Sequence, residues 1–344
     1  MLRSCLLILL LVIFLPGAEA GDTNPARSLG IENGLSNNAV TCIFRDHNGF
    51  MWFGTYDGLN RYDGYSFRIF RNIIGDSNSL IDNHIYTITG DEDHNLWIGC
   101  SKGIGIYNPV NTHFSTVDFK AWDRPAPRQL VKGVGVIKSM RNGAYMLAGT
   151  QGNGLLFFGR NRRTAIQIPL QESQGWTGDY TVTAIENDLS GRMIWVFIPQ
   201  KGLYMFNAET RQLLLVNSSI KQADCLKADS SGNLWLGNGS GLYRYDYRSN
   251  IFSENLMPAK NRIAALVADR HGNLWIGSDG GGLWWLPAGS GRPVPYLSSS
   301  GKPLVNSNAI YAIYEDPDER KWIGTLRGGV NILQASPGYF KHIT

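Results

Sequence analysis

Cysteine is nearly absent from this chain, with four residues in 344. Cys5 precedes an N-terminal apolar run, and Cys42, Cys100 and Cys225 stand apart with no C-x-x-C spacing among them. That excludes a disulfide framework or a zinc site of paired cysteines, and points to small buried thiols in alternating strands. Charge is sparse too: 17% of residues are Asp, Glu, Lys or Arg, and the net charge is +4. So weak a field excludes nucleic acid as an expected partner. No G-x-S-x-G, no H-E-x-x-H, no kinase His box and no ATP-binding segment occurs, so the chain is not expected to phosphorylate anything. The six histidines are scattered, and no metal or cofactor is expected.

Hydrophobic runs of membrane-spanning length are also missing. The longest, Leu6 to Leu15, follows Arg3 and is broken by Pro16-Gly17, and Ala18-Glu-Ala20 reads as a cleavage site before Gly21. Residues 1–20 are therefore expected to be a secretory signal, with an uncleaved anchor as the alternative, and the rest to be periplasmic. What is abundant is glycine, 40 residues, together with 11% aromatics. That balance favours β-structure with tight turns.

The organisation shows as a repeat. Asp46-His-Asn-Gly49-Phe-Met-Trp52-Phe-Gly54 returns as Asp91 to Trp97-Ile-Gly99, Asp229 to Trp235-Leu-Gly237, Asp269 to Trp275-Ile-Gly277 and Asp316 to Trp322-Ile-Gly324. Two copies are degenerate: Asp188 to Trp195, and Asn142-Gly143 to Leu147-Ala-Gly149, where leucine replaces tryptophan. Each continues through Gly-Leu or a close variant, such as Gly58-Leu59 or Gly329-Val330. Seven copies at roughly 40 to 50 residues have a propeller-blade period. Before each Asp runs an alternating strand such as Ala39 to Phe44, and the period of two marks sheet. The Asp-x-x-Gly makes a tight turn, the Trp strand follows, and a Gly-rich hairpin leads to a third and then a variable fourth strand, as in Ser66 to Phe70 or Phe114 to Phe119.

The expected fold is all-β: a seven-bladed β-propeller of four-stranded antiparallel blades. The blades fall near residues 35–75, 80–120, 131–170, 181–218, 221–256, 261–297 and 307–344. Residues 26–31 are expected to close the ring on the last blade, removing an exposed edge. The opposite assignment gives that place to Phe340–Thr344.

The Asn-Leu-Trp-Ile-Gly-x-x-x-Gly copies, with the opening Glu32 to Val40 and the segment Gly49 to Gly64, resemble the two-component regulator propeller family. More narrowly, they resemble the N-termini of hybrid two-component sensors that detect glycans. The resemblance covers residues 26–344. It implies two propellers, an immunoglobulin-like sandwich, a transmembrane helix and a cytoplasmic histidine kinase, often with a receiver and a DNA-binding domain. This sequence holds one propeller, and Ser336 to Thr344 looks like the first strand of a second. The resemblance thus implies a truncated product or fragment that receives a signal and cannot transmit it.

Propeller geometry puts the Asp-x-x-Gly turns on one face. The hairpins between second and third strands share the other with the blade-to-blade connections. Loops around a channel mouth are where binding groups gather. The candidates there are Tyr56, Asp57, Lys102, Gln151, Asn153, Gln200, Lys201, Asp279 and Arg327, with Asn38, Asn83 and Asn308 at equivalent strand entries. Such groups could bind polyols or uronates by hydrogen bonds and stacking. The bland alternative is solvated loops, with the three Asn side chains holding turns. The tryptophans in register are read as structural. Trp122, Trp176 and Trp284-Trp285 lie outside it and serve either stacking or outer-strand packing. Asp91 to Asn95 resembles a calcium loop but has Leu96 where glycine belongs, and is read as a solvated turn.

Three functions follow from this reading. The first is a sensor module binding an oligosaccharide or other soluble ligand, with further receptor domains or a second propeller as partners and a homodimer as another. The second is a polysaccharide-acting propeller enzyme of lyase type. The third is a purely structural or dimerising propeller.

Overall fold

The computed structural model describes residues 26–334 except 141–143, 160–162, 189, 190, 192, 259 and 299. The expected signal segment, the tail 340–344 and the expected Asn142-Gly143 turn lie outside the described residues. Seven sheets stand around an axis. Their first strands are Val40–Arg45, Ile85–Gly90, Val134–Met140, Ala184–Asn187, Cys225–Ala228, Arg262–Ala268 and Ile310–Glu315. These contact one another in cyclic order, the last meeting the first. Second, third and fourth strands follow outwards, antiparallel. In blade 7 the fourth strand is Arg27–Leu29, paired with Val330–Leu333 as Arg27↔Ile332 to Leu29↔Val330. The chain's N-terminal strand therefore completes the last blade, and Leu29 is buried beside Val330 and Phe53.

The repeat chemistry explains why each blade forms. The indole of Trp52 donates to Asp46 at 2.8 Å, Trp97 to Asp91 at 2.9 Å, Trp235 to Asp229 at 2.8 Å, Trp275 to Asp269 at 2.9 Å and Trp322 to Asp316 at 2.9 Å. The other carboxylate oxygen accepts the backbone N–H four residues on, as Phe50 to Asp46 at 3.0 Å. One Asp thus ties its turn to the tryptophan six residues later, and a charged-acceptor bond of this kind contributes about 1.5–3 kcal/mol. The turn position needs a left-handed backbone. Gly49 takes it at φ 90°, while His94 and Glu319 occupy it in blades 2 and 7 at 62° and 63°. Asn95 also donates to Asp91, so the supposed calcium loop is a closed turn whose carboxylate already holds its own backbone and indole.

The glycine after the Trp strand has a different cause. A Cβ on Gly54 would lie 2.6 Å from Ile85 of the next blade. The same holds for Gly99 and Val134, Gly149 and Val182, Gly237 and Ile263, Gly277 and Ile310, and Gly324 and Val40, at 2.6–2.8 Å. Each blade's opening apolar residue thus sits on its neighbour's glycine. At the interface of blades 4 and 5 the sizes are exchanged: Phe197 stands at the glycine register, opposite Ala184, and Ala223 replaces the Val or Ile. Volume is conserved, as close packing demands.

One blade departs from expectation. Phe114 to Phe119 is not a single fourth strand. His113–Thr116 ends blade 2, while Asp118–Ala121 joins blade 3, running parallel to its fourth strand Thr164–Ile168, and Arg124–Gln129 extends it. Blade 3 therefore has six strands. The reason is alternation: Val117, Phe119 and Ala121 are buried on one side and pack with Leu130, Phe158 and Ala165. A separate hairpin, Leu170–Glu172 with Gly175–Thr177, follows blade 3.

Candidate functional site: the channel mouth

Five first strands shift register just inside the face that carries the second-to-third-strand hairpins, between Val40/Cys42, Ile85/Thr87, Val134/Val136, Ile263/Ala265 and Ile310/Ala312. A bulge leaves one residue unpaired and re-aims its side chain. The residues so placed are Thr41, Tyr86, Gly135, Ala264 and Tyr311. Thr41 is occupied structurally, its hydroxyl donating to Gly54 O and Ile85 O at 3.0 and 2.7 Å. The two tyrosines organise two polar clusters, on blades 2 and 7, with blade 1 between them.

On blades 1 and 2, the His84 ring lies 4.4 Å from Tyr56 and 4.7 Å from Tyr86. Its Nε2 is buried without a hydrogen-bond partner. Asp82 accepts from Ser101 and stands 3.7 Å from the Lys102 ammonium. Burial, with Asp82 and Tyr56 nearby, pushes the Tyr86 phenol above its ordinary pKa, so it is a neutral donor at physiological pH. On blades 5 to 7, Arg262 donates to Asp224 at 2.8 Å and to the Tyr311 hydroxyl at 3.2 Å, and Tyr311 donates to Asp279 at 2.7 Å. Burial, then the bond to Asp279, raises Tyr311 as well. Acids, a guanidinium, phenols and an imidazole thus share one opening.

The residues expected at this face fare unequally. Asp57 is held by Arg71 at 2.9 Å, Lys201 by Glu172, and Asp279 by Tyr311. The three asparagines hold turns: Asn38 accepts from Ile31 N, Asn83 from Asn72 N, and Asn308 donates to Gly280 O. Asn153 O accepts from Gln167, and Gln200 O accepts from Lys221. Gln200 carries a positive φ of 66°. Gln151 packs against Gly133, and Arg327 is exposed. Tyr56, Lys102 and Gln151, whose side chain hydrogen-bonds the Tyr86 phenol, belong to the first cluster. Asp82, His84, Tyr86, Asp224, Arg262 and Tyr311 were missed. One signal was available: Tyr86 and Tyr311 each stand three residues after Asn83 and Asn308.

Inside the channel, towards the other face, Glu186 lies between Lys138 at 2.8 Å and Lys227 at 2.6 Å. Burial would raise its pKa, but the two ammonium groups outweigh burial and hold it low. Burial pushes the Cys42 and Cys225 thiols up to about 12, since their sulfurs sit under Gly54 and Gly237. Such thiols are not reactive ones. At the Asp-turn face His47 and His94 stack at 3.8 Å. Among the described residues no group of three or more His, Cys, Asp or Glu side chains is arranged for a metal, and no helix is long and apolar enough to cross a membrane. Trp122 and Trp176 are exposed. Trp284 is partly buried, packs against the core and donates to Gly281 O at 2.8 Å.

Comparison with known proteins agrees with this architecture. Residues 34–57, 79–102 and 258–280 match the family described as two component regulator propeller. Three of the seven repeats thus match that family's repeat model. A 48-residue stretch is 48% identical to histidine kinase P4 of Formosa agariphila, covering 14% of this chain and 4% of the kinase. The extracellular domain of the putative hybrid two component system BT3049 from B. thetaiotaomicron superposes with a TM-score of 0.73 at 21% identity, over 90% of this chain and 42% of that one. The chain thus spans less than half of that extracellular domain. A virginiamycin B lyase from Staphylococcus aureus shares the propeller at a TM-score of 0.67 and 13% identity, over 90% of this chain and 99% of the lyase. At such identities the two structural likenesses concern the fold.

Proposed function

We propose that this chain is the extracytoplasmic ligand-recognising propeller of a two-component signalling receptor, and that an oligosaccharide binds at the channel mouth. The observation that carries the reading is the His84 imidazole, its Nε2 unpartnered between Tyr56 and Tyr86. A buried unpaired polar atom is costly, and a sugar hydroxyl would satisfy it while the phenol rings cover the ring faces of the sugar. Asp224, Arg262 and Tyr311 supply both donors and acceptors at the same face, which suits a polyol. Further domains of the receptor are the partners that would relay occupancy, since the extracellular relative is more than twice as long. A melting-temperature screen against neutral and acidic oligosaccharides tests this. One class should raise the wild-type Tm, and Tyr86→Ala should abolish that rise.

A second reading is a propeller lyase, since the same fold carries a lyase site in another protein. Catalytic depolymerisation of a glycan by the purified chain would establish it in place of the first. If no glycan changed Tm and none were cleaved, a structural or dimerising propeller would remain.

A further inference from the structure

At the ring's closing seam, on the Asp-turn face, a cleft of about 260 Å³ opens between blades 7 and 1. Its lining includes Arg27 on the closing strand, Arg45 on the first strand of blade 1, and Arg320 beside the blade 7 turn. Two carboxylates also line it, and both are already saturated. Asp316 accepts from Asp318 N, Arg320 N, the Arg320 guanidinium and the Trp322 indole. Asp63 accepts from Tyr65 N, Ser66 N and the Ser66 hydroxyl.

The guanidiniums are in the opposite state. Arg320 is matched by Asp316 and Asp318. Among the described residues Arg27 donates only to the Tyr62 hydroxyl, at 3.1 Å, and Tyr62 in turn donates to Gly64 O. Arg45 is partly buried with its guanidinium against Gly49. Neither Arg27 nor Arg45 has a carboxylate within salt-bridge distance among the described residues. Arginine offers five donors in a fixed fork, so the cleft holds several donors and no free carboxylate to match them.

The fold does not require a base at this point. The residues in the same register of the other first strands, each opposite the start of its second strand, are Gly90, Met140, Asn187, Ala228, Ala268 and Glu315. Only blade 1 places a cation there. We propose that the seam cleft binds an oxyanion group, carboxylate, sulfate or phosphate, between Arg27 and Arg45. A planar fork suits such groups, and the volume is several times the roughly 30 Å³ share of one water, so the group enters with solvent around it. The consequence is mechanical. Arg27 belongs to a closing strand of three residues and Arg45 to the first blade, so a bridging anion fastens the ring where the chain's N-terminal strand completes it. This site is independent of the channel mouth and lies on the opposite face.

The test is Tm as a function of sodium sulfate, inorganic phosphate or sodium acetate, each matched in ionic strength by sodium chloride. Sulfate is generally stabilising, so the decisive quantity is the difference between variants. In the wild type, sulfate and phosphate should raise Tm beyond chloride by several degrees, with acetate weaker if a divalent group is preferred and equal if any carboxylate suffices. Arg45→Gln and Arg27→Gln should reduce the oxyanion increment to the chloride level, while Arg244→Gln, a surface arginine on blade 5, keeps it. Equal increments in wild type, Arg45→Gln and Arg244→Gln would overturn the proposal. So would a wild type that does not distinguish any of the three anions from chloride.

Discussion

The two faces of this propeller are built on different rules. On the Asp-turn face, blades 1, 2, 5, 6 and 7 repeat one solution: a carboxylate, its turn and a tryptophan six residues on, joined within 2.9 Å. On the mouth face, equivalent bulge positions carry Thr41, Tyr86, Gly135, Ala264 and Tyr311, and their partners differ from blade to blade. Repetition marks what every blade needs in order to pack. Divergence at equivalent positions marks where packing makes no common demand.

The contrast is sharpest in stability. Trp97→Ala removes a fully buried ring lying 4.9 Å from Phe158 and should cost about 3–5 kcal/mol. Tyr86→Ala at the mouth should cost about 1 kcal/mol or less. Urea unfolding of both variants measures the gap, and equal losses would erase the distinction.

The seam between blades 4 and 5 offers a finer probe. Ala223→Ile should overpack against Phe197 by about 1–3 kcal/mol, and Phe197→Gly should leave a cavity of larger cost. The double variant restores the Gly and Ile pairing of the other interfaces. It should therefore be more stable than the sum of the two single losses implies, which a double-mutant cycle reads directly.

The smallest effect concerns pH. Burial would raise Asp269 and Asp316, but bonds from Asn273 and Trp275 in one, and from Trp322 and Arg320 in the other, hold both below the ordinary carboxylate value. Their contribution is present above the unfolded pKa of about 3.9 and is lost as pH falls through the depressed folded values. The stability difference between wild type and Asp316→Asn should therefore shrink as pH drops below about 4. A difference that grew on acidification would contradict the assignment.

Much of the regular face was legible because its determinants are close in sequence. Asp91 and Trp97 are six residues apart, and their spacing alone announces the turn and strand. The glycine at Gly54 was visible as a pattern, although its cause, Ile85 of the next blade, was not. Legibility fell where one alternating run serves two sheets, as at Val117 to Ala121, whose buried side faces blade 3. It fell further at the mouth, where the expected Asn38, Asn83 and Asn308 hold turns and Tyr86 and Tyr311 face the opening.

By itself, then, the sequence determined a ring of seven repeats, because a period of two, a turn carboxylate and an indole act within single blades. Only the tertiary structure decided which polar groups meet. Arg262 joins Asp224 and Tyr311 from three blades, and Arg27 and Arg45 share a cleft with Arg320 and Trp322 from the opposite end of the chain. Those encounters depend on closing the ring. Closure is set by the sum of all seven interfaces, which no local pattern encodes.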